Sequence, residues 1–229
     1  LELLPAAAYG TQWLQVQDDN GKFLAKWPSN DAVSEIYTLD RDKWWRLINP
    51  DWIDPAGQAG KPKEEGGKPT NQIGLEATTT RIEDAMRFAD AIRDTFHPRT
   101  YAHYGSDPVQ PAWNDLVWRV VDGDPVIAGD PLTWTLLPGT EGDNGEGALR
   151  VKGDRGEVLK LKLQPPMTPS DGTVPVERSA AKVRAKVKCV QAGYDHQGSY
   201  SDANASAATL YGIVRIAADF DPQWWSEKY

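Results

Sequence analysis

Between Val183 and Val190 the chain reads Val-Arg-Ala-Lys-Val-Lys-Cys-Val, apolar and charged residues alternating until the apolar end. A period of two places every second side chain on one face, which predicts a strand with one side buried. Short apolar runs separated by Gly, Asp and Pro fill residues 113–166, at Leu116 to Val121, Thr133 to Leu137, Leu149 to Val151 and Val158 to Leu163. These predict antiparallel hairpins set beside a main sheet. The period changes over Thr79 to Phe96, where Ile82, Ala85, Met86, Ala89, Ile92 and Phe96 keep three-and-four spacing. That predicts a helix stopped by Pro98, then a strand over Arg99 to Tyr104 that ends at Gly105-Ser106-Asp107-Pro108. A last helix is expected after Ser201 or Asp202, either of which can cap it, with Leu210, Ile213, Val214 and Ala217 as its buried stripe.

The first part of the chain is patterned differently. Residues 31–52 collect Ile36, Tyr37, Trp44, Trp45, Leu47, Ile48 and Trp52, and Tyr37, Trp44, Trp45 and Ile48 fit one helical face. Two readings stay open for them: core packing, or a lid over an acyl-chain pocket, since large amphipathic rings suit an apolar–water boundary. Residues 54–74 gather Pro55, Gly57, Gly60, Pro62, Gly66, Gly67, Pro69 and Gly74 among Lys and Glu, which predicts a flexible surface loop. Nothing there cradles phosphate, because no Gly-Lys-Ser/Thr follows. The expected division is a lid-like aromatic segment with its loop at 1–74 and a main domain at 75–229, carrying the hairpin insertion at about 113–166.

Composition narrows the function classes. With 229 residues, 40% of them hydrophobic, the chain can bury a sizeable core. A net charge of −8 leaves no Lys/Arg excess to displace counterions from a phosphate backbone, so no nucleic-acid partner is expected. The single Cys189 excludes an internal disulfide. No run of about 18 apolar residues predicts a transmembrane helix. The chain opens in mid-pattern on Leu1-Glu2-Leu3-Leu4-Pro5 and is expected to be the C-terminal part of something longer.

Candidate chemistry lies in the last third. Asp171 stands in the turn Ser170-Asp171-Gly172-Thr173-Val174-Pro175, and His196 follows the predicted strand in Gly193-Tyr194-Asp195-His196-Gln197. An acid after one strand and a His after the next keep the order of the last two members of an α/β-hydrolase triad. The chemistry asks for this pair: an imidazole must take a proton from a hydroxyl, and a carboxylate must fix its tautomer and stabilise the imidazolium. Asp195 points elsewhere in an extended loop and is not the expected orienting acid. His103 is expected to pack or hydrogen-bond within the sheet, and His97 beside Pro98 carries no expected role. Glu141, Asp143, Asn144 and Glu146 lack the twelve-residue loop of a calcium site and read as a solvated turn. Asp122 and Asp124 around Gly123 read as another turn. No metal or other cofactor is expected.

The succession Leu-Leu-Pro (3–5), strand with Tyr104-Gly105, β-rich stretch, Asp-Gly-Thr-Val-Pro (171–175), strand, Asp-His (195–196) and helix resembles the C-terminal half of lecithin:cholesterol acyltransferase-like and GPI inositol-deacylase-like lipases. It is also similar to the bacterial type VI secretion lipase effectors sharing that core. The resemblance implies an α/β fold, the C-terminal portion of an α/β-hydrolase with a mostly parallel sheet, helices, a lid segment and a β-hairpin insertion. It makes Asp171 the triad acid and His196 the triad base, and it implies hydrolysis of lipid carboxylic esters through an acyl-enzyme. One departure matters. No Gly-x-Ser-x-Gly occurs, since Ser106 follows Tyr104-Gly105 and Ser199 follows Gly198 without a second Gly. The family's elbow Ser precedes the Leu-Leu-Pro segment, so the nucleophile is expected upstream of Leu1, on an N-terminal part of the same hydrolase, and this chain alone is expected to be inactive.

The partners implied are that N-terminal part, a lipid ester at a membrane surface and an immunity protein. The implied route is synthesis in the cytoplasm and delivery to a target-cell periplasm. Two other readings remain: a non-catalytic binding module derived from a hydrolase, with the Asp–His pair vestigial, and a non-lipid esterase or acyltransferase sharing the triad.

Overall fold

The structure is a computed structural model that describes residues 5–39, 43–47, 70–183, 187–191 and 195–219, without the side chains of 70–75 and 187–191. Contacts divide the chain into two compact units, Leu1–Ile92 with Asp115–Gln164 and Arg93–Asn114 with Pro165–Tyr229. The units interleave along the chain.

The first unit is built on a six-stranded sheet. Its strands are β1 (Leu14–Gln17), β2 (Phe23–Trp27), β5 (Leu116–Asp122), β6 (Thr135–Leu136), β7 (Ala148–Lys152) and β8 (Val158–Leu163), in the order β2-β1-β5-β8-β7-β6. The runs within 113–166 do form antiparallel hairpins, as their short connections require. They do not flank a larger sheet, however. They are most of the largest sheet among the described residues, and β1 joins them parallel to β5. The mostly parallel sheet expected from sequence is therefore corrected to a mixed one: of the strand pairs described, β1–β5 and the pair of β3 (Tyr101–Gly105) with β10 (Val187–Gln191) run parallel and the others antiparallel. Connections as short as Gly153 to Glu157 can only reverse the chain, whereas a parallel neighbour needs a crossover of a dozen residues or more.

Alternation along β8 explains which face is covered. Leu159 and Leu161 are fully buried while Lys160 and Lys162 are exposed. Over the covered face lie the aromatics. Trp27 stacks on Trp45 with centroids 5.1 Å apart, Trp44 meets both edge-on at 6.0 Å, and Trp134 lies 5.9 Å from Trp44. The Trp44 Nε1–H donates to the Pro131 carbonyl at 2.8 Å, and the Trp45 Nε1–H to the Glu35 carbonyl at 3.1 Å. Burying an indole with its N–H paired gives its large apolar area without an orphaned donor. Ile36, Tyr37, Trp44 and Trp45 are thus core side chains; Ile36 and Tyr37 stand on a π-helical turn at Val33–Tyr37, and Trp44 and Trp45 lie outside it. Ile48, Trp52 and the loop from 54 to 69 lie outside the described residues. Trp44→Ala should cost about 3–5 kcal/mol of stability, because it opens a large cavity and orphans a carbonyl. Denaturant unfolding followed by circular dichroism measures it, and a loss below about 1 kcal/mol would contradict this packing.

Helix α1 (Thr70–Ile92) begins nine residues before the spacing predicted, because it carries Gly74 inside it. Glycine costs a helix only about 1 kcal/mol relative to Ala, so it did not mark a boundary here. Ile82 is buried in the core of this unit and Met86 packs against it, whereas Ile92 is 47% exposed.

The second unit holds two small sheets. β3 (Tyr101–Gly105) pairs parallel with β10 (Val187–Gln191), and β4 (Asp107–Ala112) pairs antiparallel with β9 (Thr168–Ser170). Residues 184–186 of the predicted strand lie outside the described residues, and Val183 closes a 3-10 turn at Ala180–Lys182. Helix α4 (Ala203–Ala218) is capped by Asp202, whose carboxylate accepts the amides of Asn204 and Ala205 at 2.8 and 2.9 Å. Its buried face is not the predicted one. Leu210, Ile213 and Val214 are 60, 58 and 54% exposed, while Ala205 and Gly212 are buried. The physical reason is close approach. A Cβ on Gly212 would stand 3.1 Å from the Cβ of Tyr101, so the helix lies on β3 through its small residues. Among the described residues, no helix is long and apolar enough to cross a membrane.

Candidate active site

Parallel pairing of β3 with β10 puts both C-terminal ends at one edge, with Gly105 opposite Gln191. His196 reaches that edge on the chain that follows β10. Asp171 arrives by another route, directly after β9, with its backbone packed on Gly105. At the edge the two residues meet twice. The main-chain N–H of His196 donates to the Asp171 carbonyl at 2.8 Å, and Nδ1 of the ring lies 2.7 Å from Asp171 Oδ2.

The turn around Asp171 prepares its carboxylate for this contact. Oδ1 accepts the amide N–H groups of Thr173 and Val174 at 3.0 and 2.8 Å, leaving Oδ2 for the ring. Burial alone would raise the pKa of this carboxyl. Hydrogen bonds from the Val174 amide, the His196 ring and the Thr173 amide outweigh it and hold the group below the ordinary carboxylate range. An acid that stays ionised can only accept a proton-bearing Nδ1, so it selects the tautomer whose Nε2 is a free base.

Exposure divides the roles. The Asp171 side chain is 13% exposed and the His196 side chain 52%, so the acid stands behind and the ring faces out. Among the described residues nothing hydrogen-bonds Nε2. The hydroxyls nearby in sequence are engaged elsewhere: Ser199 donates to the His196 carbonyl at 2.9 Å, and Ser201 to the Gly198 carbonyl at 3.2 Å. Ser170 is fully buried. The arrangement can therefore take a proton from a hydroxyl brought to Nε2 and return it, with Asp171 stabilising the cation formed meanwhile.

Other residues singled out in the sequence stand apart from this chemistry. Asp195 accepts the Gly198 amide at the start of the 3-10 turn Gly198–Tyr200, so its carboxylate is engaged away from the imidazole. His103 Nε2 lies 3.0 Å from Thr209 Oγ1, whose own proton goes to the Ala205 carbonyl at 3.0 Å. The ring is thus the donor there, and it cannot serve Thr209 as a base. His97 Nδ1 accepts the Arg99 amide within a turn. In the acidic cluster, Asp143 accepts the Gly145 amide and Asn144 the Glu146 amide, the hydrogen bonds of a turn. Asp124 caps the short helix α2 (Pro125–Ala128) by accepting the Val126 amide, and Asp122 accepts the Gly123 amide. Among the described residues no three His, Cys, Asp or Glu are gathered as a metal ion would require. The Thr173 and Val174 amides were not singled out from sequence, although Asp followed by Gly already marks a turn in which the carboxylate accepts amides two and three residues on.

No family model matches the chain, and no curated protein matches it significantly. A solved structure does. In the crystal structure of the Tle4–Tli4 complex, one chain aligns with a TM-score of 0.66 at 26% sequence identity. The match covers 96% of this chain and 46% of that one, so the chain spans about half the length of its neighbour. The fold is α/β and hydrolase-like. Its mixed sheets with helices agree with that likeness over nearly the whole chain.

Proposed function

We propose that this chain is the acid- and base-bearing part of a serine lipase or phospholipase, acting as an antibacterial type VI secretion effector. The observation that carries the reading is the contact of Asp171 with His196 Nδ1, which leaves Nε2 facing outward. In the proposed cycle Nε2 takes the proton of a Ser hydroxyl as its oxygen attacks the ester carbonyl. The tetrahedral intermediate collapses to an acyl-enzyme, and the protonated ring gives its proton to the leaving alkoxide. Water then enters, deprotonated by the same Nε2, and attacks the acyl carbonyl; the ring returns that proton to the departing serine oxygen as the fatty acid is released. Throughout, Asp171 remains ionised and holds Nδ1–H.

The nucleophile is proposed to lie on the N-terminal part of the same hydrolase. Two facts support this: the 229 residues contain no Gly-x-Ser-x-Gly, and the match accounts for 46% of the neighbour's length. The likeness to the complex of a type VI lipase effector supports the lipid-ester class, delivery into target cells and an immunity protein as a binding partner. A fluorophosphonate probe, which reacts with activated serines, tests the reading. It should label the complete protein on one serine and leave the 229-residue chain unlabelled. Labelling of the chain alone, or no labelling of a complete protein that hydrolyses esters, would count against the assignment.

A further inference from the structure

Two residues outside the Asp171–His196 contact border the turn that carries the acid. The first is Gly105, the last residue of β3. Its backbone has no left-handed φ, so conformation alone would admit any residue. Space does not. A Cβ there would stand 2.7 Å from the Asp171 Cβ, 3.1 Å from its Cα and 3.3 Å from its N. Such distances to backbone atoms cannot be relieved by swinging a flexible side chain away, so Asp171 itself would have to move.

The second is Ser170. It is 0% exposed, and its hydroxyl donates to the Gln110 carbonyl of β4 while accepting the Gly172 amide at 2.8 Å. The Gly172 amide also donates to Gln110 O at 3.0 Å. One oxygen thus ties the residue before Asp171 to the residue after it, and both to the neighbouring strand. Gly172 has φ +86°, a conformation a side chain would strain, so the turn is closed on both sides of the acid.

We infer that Gly105 and Ser170 are positioning residues that set the Asp171 carboxylate at hydrogen-bonding distance from His196 Nδ1, and through it fix which ring nitrogen carries the proton. Gly105 sets how near the acid stands to the sheet edge. Ser170 sets the orientation of the turn that aims Oδ2. The inference deepens the proposed function and rests on it only for the word catalytic, because the ring tautomer can be read without turnover.

The test uses the complete protein, with its histidine rings labelled with ¹⁵N, and the variants Gly105→Ala, Ser170→Ala, Ser170→Thr and Ala205→Gly. Imidazole ¹⁵N shifts near neutral pH report how much of His196 carries its proton on Nδ1. The unchanged protein should show Nδ1–H as the dominant form. Gly105→Ala should lose that dominance, and Ser170→Ala should reduce it. Ser170→Thr, which keeps the hydroxyl, should hold more of it than Ser170→Ala. Ala205→Gly deletes a buried methyl from α4 and serves as the control for lost stability, so it should keep the tautomer. Ester hydrolysis should fall in kcat with KM little changed in Gly105→Ala and Ser170→Ala. If Gly105→Ala does not fold, Ser170→Ala and Ser170→Thr carry the test. Folded Gly105→Ala and Ser170→Ala proteins with the Nδ1–H form undiminished would overturn the inference. Loss of the tautomer equally in Ala205→Gly would do the same. Loss of the tautomer in a protein whose turnover does not depend on His196 would uphold the positioning and sink the lipase reading instead.

Discussion

His196→Ala in the complete protein should lower kcat for ester hydrolysis by about 10⁵–10⁶-fold, with KM changed little. A serine hydroxyl is a poor nucleophile at neutral pH, and the base that takes its proton also protonates the leaving alkoxide. Removing the imidazole disables both steps at once. The residual rate would come from substrate binding and whatever donors stabilise the oxyanion, which persist without the base. The ring is half exposed and at the edge of its unit, so the variant should retain its fold and its melting temperature. A variant that folds and keeps most of its hydrolysis would remove His196 from the mechanism. Steady-state kinetics on a short-chain ester, beside a thermal melt, separates these outcomes.

Asp171→Asn should cost about 10⁴-fold in kcat, less than loss of the base, and for a different reason. The Asn carbonyl oxygen can still accept the Thr173 and Val174 amides. Its NH₂ then faces His196 Nδ1 and donates to it, which forces the ring proton onto Nε2. That tautomer cannot accept the proton of a serine. The same substitution has a consequence for stability that carries a definite sign. The Asp171 carboxyl has its pKa lowered in the folded chain, so its ionised form favours folding. This contribution is fully present above the unfolded pKa, near about 3.9 for Asp, and is lost as pH falls through the lower folded value. The wild-type protein should therefore lose stability relative to Asp171→Asn only below about pH 4. Denaturant midpoints across the acid range measure the difference, and a gap between the two proteins that is independent of pH would contradict it.

How far the sequence reached can be judged residue by residue. The meeting of Asp171 and His196 was legible because each follows a strand pattern and sits in a turn whose composition marks it. What the pattern could not show was the path. Asp171 comes from β9, which pairs with β4, and reaches the edge of β3 and β10 by packing on Gly105. A contact of that kind depends on a missing Cβ, and hydrophobic periodicity does not register it. Helix α4 illustrates the same limit. Leu210, Ile213 and Val214 form its most apolar stripe, and reading that stripe as the buried one assumes that burial follows hydrophobicity. The helix packs through Ala205 and Gly212 because a close helix–strand contact selects small residues.

The sheet was misjudged for a reason of chain topology. Short apolar runs between turns identify β5, β7 and β8 as strands, but they say nothing about which strand lies beside them. β1, about a hundred positions earlier, pairs parallel with β5, a long-range contact that no local pattern encodes. The tryptophans themselves were ambiguous, since an indole suits a lid as well as a core. Paired N–H groups and close packing place Trp44, Trp45 and Trp134 in the core, and Trp27 joins them by stacking on Trp45.

The central claim is that the imidazole held by Asp171 stands ready for a hydroxyl supplied by the rest of the hydrolase. A crystal structure of the complete protein after reaction with a fluorophosphonate tests it most directly. The account predicts a phosphonylated serine whose Oγ lies about 3 Å from His196 Nε2, with Nδ1 still on Asp171. A modified serine well beyond hydrogen-bonding reach of that nitrogen, with some other base beside it, would contradict the account.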